Sequence, residues 1–147
     1  MAEKPLTEAN MVIYKKEPID VLVDLTKGLM FDAQGTLLPN AIQIFKESMN
    51  EDANDIPDSY ILLRSQITDT TINFGDGESL IRSADCDVIL ITKGYADDTT
   101  DLHNINKKRI RQHLKDAGVV FQEFNLGYDD ASKSTQHTFT IGVNYIG

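Results

Sequence analysis

The chain has 147 residues, enough for one domain that buries roughly 70% of its unfolded surface without a disulfide or metal staple. Its 14 Lys and Arg stand against 23 Asp and Glu, for a net charge of −9. Affinity for nucleic acid comes largely from neutralising phosphates with basic side chains, so this balance argues against a phosphate-tracking groove.

Residues 1–18 are polar and mixed and read as an N-terminal arm before a single domain over 19–147. The opening "MAEKPLTEAN" lacks the basic-then-apolar pattern of a signal peptide. No apolar run approaches the roughly 18 residues of a membrane span, so folding in the cytosol is expected. A first helix is expected over 19–30, with Ile19, Leu22, Leu29 and Met30 on one side and Val23 and Leu25 broadening the stripe. Pro18 suits the first turn and Gly28 weakens the last. The stretch 36–49 fits either a short helix capped by Asn40 or a strand over 42–46. An acidic loop follows over 50–58.

Residues 60–68 read as a strand with Ile61, Leu63 and Ile67 on one face. A second strand over 80–93 carries "CDVILITK", apolar on both faces, as a central strand covered on both sides would be. It contains Cys86, the only cysteine, so no intrachain disulfide can form and a reducing compartment is expected. Between the strands, 69–79 reads as a long polar connection with Gly75 and Gly77 free to take positive φ. The clearest helix spans 97–118. Thr99 or Thr100 can cap it, Asp101 sits near its positive end, and Leu102, Ile110, Leu114 and Ala117 form its buried stripe. Gly118 ends it. Strands over 119–126 and 137–146 close the chain, joined by the acidic turn "GYDDASKST". In the last strand Phe139, Ile141, Val143 and Tyr145 should face inward, with Thr138, Thr140 and Asn144 outward. The expected fold is α+β, a mostly antiparallel sheet with helices packed on one face.

Several motifs invite chemistry. "YADD" (95–98) matches the catalytic turn of a reverse-transcriptase-type polymerase, but a helix start follows it where a polymerase palm needs a strand. Asp97 and Asp98 suit a helix N-terminus, where carboxylates meet exposed N–H groups. "GYDD" recurs at 127–130 as turn chemistry, with a weak divalent-cation site at Asp129 and Asp130 as the sharper alternative. His103, His113 and His137 form no metal-binding pair. His113 reads as a core or interface residue, and His137 opens the last strand on its inward face. No nucleophile elbow, phosphate-binding loop or GxGxxG occurs, and "GDG" (75–77) is too short to cradle a phosphate. Neither an enzyme nor a cofactor is expected. Lys108, Arg111 and Lys115 lie along one outward helix face, either solvated or docked on an acidic surface of another subunit. Phe74, set among polar residues, either folds back on its own sheet or anchors a partner.

The order of these pieces resembles the tail terminator (tail completion, or tail-to-head joining) proteins of long-tailed bacteriophages. A helix is followed by an "IPDSYILLR" strand, a long polar hairpin and "RSADCDVILITKG". Next come a helix ending in "LKDAGVVF" and an acidic turn into "HTFTIGVNYI". The likeness runs over residues 19–146. It implies a structural virion protein, assembled in the host cytoplasm, that forms a hexameric ring on the head-proximal end of the tail tube. Such a ring stops tube polymerisation and docks the tail to the head connector, while DNA passes through its lumen without sequence-specific binding. The implied partners are further copies of the chain, the tube protein and a head-completion protein, with no membrane. Phe74 and Asp76 in the 69–79 hairpin, with Lys108, Arg111 and Lys115, are then the expected contact residues. Another neck component or a cytosolic adaptor binding through the same hairpin is the alternative, and a small metal-dependent hydrolase a third.

Overall fold

β-branched and aromatic residues at alternate positions build the longest elements of the fold. The computed structural model describes residues 13–46, 57–73, 80–94 and 101–146. In chain order these form β1 (Ile13–Tyr14), α1 (Pro18–Thr26) with a 3-10 turn (Lys27–Leu29), β2 (Gln43–Lys46) and β3 (Ser59–Asn73). Next come β4 (Leu80–Lys93), α2 (Leu102–Asp116), β5 (Phe121–Asp129) and β6 (Ser134–Ile146). The six strands form one sheet in the order β1-β6-β4-β3-β2, with β5 also beside β6. β5 and β1 lie end to end along the same edge of β6: β5 pairs with Ser134 through Ile141, and β1 with Asn144 and Tyr145.

This corrects the expected α+β, mostly antiparallel architecture. The protein is predominantly β, with two short helices, and its sheet is mixed. β3, β4, β6 and β5 meet antiparallel, whereas β2 runs parallel to β3 and β1 parallel to β6. Side-chain periodicity is the same in both directions, so direction depends on the connection. The link from β2 to β3 is too long to be a hairpin and permits a parallel return. Strand content exceeds expectation because "DTTIN" (69–73), read as loop, continues β3 past an irregularity in register between Ile67 and Thr71.

Alternation then places the core. Ile61 and Leu63 of β3, Ala84, Cys86, Val88 and Leu90 of β4, and Phe139, Ile141, Val143 and Tyr145 of β6 are buried on one face. Val21, Leu22, Leu29, Ile110 and Leu114 of the helical segments join them in one cluster. Burying each such large side chain contributes about 1.5–3 kcal/mol. β4 lies between β3 and β6, and Val88, Ile89 and Leu90 are all buried. The facing expected of Ile67 lies outside the described residues, as do residues 50–56 of the acidic loop, Gly75 and Gly77.

Local departures have local causes. α1 starts at Pro18, one residue before the expected start, and ends at Thr26, whose hydroxyl donates to the Leu22 carbonyl at 2.7 Å. Its buried centre is Val21 and Leu22, with Ile19, Val23 and Leu25 at the margin. Of the two readings of 36–49, the strand is formed and the helix is not. α2 is capped by Asp101, whose carboxylate accepts from the His103 N–H at 3.2 Å; Thr99, Thr100, Asp97 and Asp98 lie outside the described residues. Leu102 and Ala117, expected in the buried stripe, are exposed. The stripe instead runs His103, Asn106, Ile110, Leu114, because two polar residues take the core-facing positions of the first turns. The helix stops at Gly118 with φ +74, a conformation glycine adopts without strain. The final hairpin is tighter than expected, since Tyr128 and Thr135 extend the ladder and leave 130–133 as the turn.

Candidate interaction surfaces

Glu123 of β5 joins α2 to the sheet. Its carboxylate accepts two hydrogen bonds from Arg111, Nε at 2.8 Å and Nη2 at 2.7 Å, and lies 2.8 Å from His137 Nε2. The bidentate Arg111 contact, helped by His137, holds the Glu123 carboxyl down at about 2, and Arg111 is raised in turn. Burial pushes His137 below its ordinary value, outweighing the pull of Glu123. The neutral ring donates its Nε2 hydrogen to Glu123, since a carboxylate can only accept. His137 Nδ1 is then buried with no partner among the described residues. Arg111 is thus half-buried and turned onto β5, whereas Lys108 and Lys115 are exposed on the helix surface.

A second polar group fastens the first turns of α2. Asn106 Nδ2 donates to Ser59 Oγ at 2.9 Å, Ser59 Oγ meets Thr92 Oγ1 at 2.8 Å, and Thr92 Oγ1 meets His103 Nδ1 at 2.8 Å. All four residues are buried. Burial first, then Lys107, pushes His103 down to about 4, so it is neutral near pH 7. Enclosed hydroxyls already shared between partners position helix against sheet and are closed to a substrate. The adjacent cleft, about 160 Å³ and bordered by His103, Lys107 and Tyr128, is smaller than the few hundred Å³ of ordinary ligand pockets.

His113 sits between the helical segments, its Nε2 donating to the Leu25 carbonyl at 2.9 Å. It borders a cleft of about 700 Å³ with Leu25, Gly28 and Phe31. Asp129 is occupied by its own turn, accepting from the Ser132 hydroxyl at 2.7 Å and from the Ser132 N–H at 3.3 Å. Asp130 beside it is exposed. Among the described residues no three His, Cys, Asp or Glu side chains are grouped to hold a metal ion. Phe74 and Asp76 lie outside the described residues.

The sheet face turned away from the helices carries a row that reading in chain order did not find. Phe45 pairs with Leu62, Leu62 with Ile89, Ile89 with Thr138, and Thr138 with Phe124. Because side chains alternate along each strand, these five stand side by side across the sheet from β2 to β5. Phe45 also meets Tyr60 edge to face at 5.6 Å. To one side of the row lie Arg64, Asp87 and Thr140, tied by Arg64–Asp87 at 3.5 Å and Thr140–Asp87 at 2.9 Å. Among the described residues β5 is paired on one side only, and so is β2. β5 also exposes large apolar side chains: Phe124 at 49%, Leu126 at 58% and Tyr128 at 36%, with Val120 just before it at 88%. The sequence hint was present in "VVFQEFNLGYD", apolar at both odd and even positions although it is a hairpin's outer strand.

Comparison with protein-family models, with curated proteins and with solved structures gives no match for this chain.

Proposed function

We propose that this chain is a structural protein that acts by ring assembly, as a phage tail terminator that caps the head-proximal end of the tail tube and docks it to the head connector. One observation carries the assembly reading. A row of four apolar residues and Thr138 crosses the sheet face turned away from α1 and α2 and ends on two different strands, β5 and β2, each paired on one side only among the described residues. A closed ring needs two different patches that fit each other, and two distinct edges supply them. The net charge of −9 suits a conduit through which DNA moves without being gripped. The terminator role itself rests on the order of elements over 19–146 and its resemblance to that family.

The test is to polymerise the cognate tail-tube protein with and without this chain and measure tube lengths by electron microscopy. The expected result is shorter tubes with a ring-shaped cap at one end. Tubes of unchanged length without caps would refute the role.

A further inference from the structure

We propose that copies of this chain join by strand addition, β5 of one copy pairing antiparallel with β2 of the next along the edges that are unpaired among the described residues. The inference rests on the ring reading and names the contact that would build it. An edge strand presents unpaired N–H and C=O groups, and its natural partner is another strand. Proteins usually guard such edges with charge, proline or a cover. Within β5, Glu123 is drawn inward by Arg111, and the outward positions carry Phe124 and Leu126 instead.

Direction and register single out β2 of a second copy as the occupant. Through the pairings β2 and β3 run one way, β4 the other, β6 with β3, and β5 against them. A neighbour related by rotation about an axis along the strands therefore presents β2 antiparallel to β5. With no shift along that axis, the apolar row continues across the junction, so Phe124 faces Phe45 of the next copy. The same register sets Glu123 opposite Lys46, and Asn125 opposite Ile44. Each pair lies on a common face, because Phe45 shares the row while Ile44 packs on the core side. Aromatic facing aromatic is a favourable cross-strand pair, whereas the Glu123 carboxylate opposite Lys46 is already bonded to Arg111 and His137. Pairing of β5 with itself would give a two-fold dimer that leaves both β2 edges unused.

The experiment pairs Phe45→Cys with Phe124→Cys in one chain, where directly opposed strand positions approach disulfide range. Cys86 is buried and does not compete. Mild oxidation should yield a ladder of covalent multimers on a non-reducing gel, while each single variant yields none. Hydrogen exchange on the unmodified assembly should show the outward amides of 121–129 protected, and Phe124→Lys should weaken association by about tenfold or more, the factor set by 1.4 kcal/mol. A hexamer with no 45–124 cross-link and unprotected β5 amides would overturn the strand contact and leave the ring reading standing. A ladder from open chains that never close would keep the contact and overturn the ring. Cross-linked dimers from Phe124→Cys alone would show β5 pairing with itself and overturn the proposal.

Discussion

Glu123 is the side chain on which α2, β5 and β6 converge, and its protonation ties stability to pH. Its carboxyl sits at about 2 against an ordinary 4.5, so the bridge contributes fully above pH 4.5 and is lost as pH falls toward 2. His103 sits at about 4 against an ordinary 6.5, and His137 shifts the same way. The unfolded chain takes up those protons first, so the histidine contribution is complete above pH 6.5 and declines as pH falls toward 4. Urea midpoints should be level above neutrality and then fall in two stages. Glu123→Gln should remove the lower stage and cost about 1–3 kcal/mol near pH 7, because Arg111 and His137 lose a charged acceptor. His103→Gln should flatten the upper stage. A midpoint constant from pH 7 to pH 4 would contradict this account of the buried histidines.

The contact between helical segments turns on Gly28. A Cβ there would stand 2.7 Å from His113 Cε1, too close unless the ring moves and gives up its bond to the Leu25 carbonyl. Gly28→Ala, which at a tolerant site would stabilise by restricting the unfolded chain, should here destabilise by about 1–3 kcal/mol. In a His113→Ala background the same change should become neutral or stabilising; a thermal melt of the four proteins reads the sign reversal directly. The sequence shows Gly28 only as a weak helix former, since the ring that requires it comes from 85 positions further along the chain. The same division explains what else was legible. β6 could be read from its alternation and β4 from a centre apolar on both faces, because each strand's pattern records which faces are buried. The parallel pairing of β1 and β2 could not, since neither short strand carries its direction in its residues. α2 was legible as a helix, but its phase was not: His103 and Asn106 look like surface residues until Ser59 and Thr92, from two other strands, are placed beneath them. Arg111 reads as part of a basic stripe for the same reason, its partner Glu123 being on the next strand.

At the scale of the whole molecule, the helices close one face of the sheet while β5 keeps Phe124, Leu126 and Tyr128 exposed, in reach of a partner. Arg111 is held within the protomer, so the proposed assembly leaves the basic helix surface to the exposed Lys108 and Lys115. Reversing both lysines to Glu should weaken association in low salt, with the difference shrinking as salt is added and unfolding of the protomer unchanged. Arg111→Glu should instead lower protomer stability by about 1–3 kcal/mol through loss of its bonds to Glu123. The most direct test of ring assembly is the mass of the purified chain in solution by light scattering at neutral pH. The prediction is a discrete species of six 16.4 kDa chains, reduced to smaller species by Phe124→Lys. A single-chain mass that persists at high concentration and in the presence of tail-tube protein would contradict it.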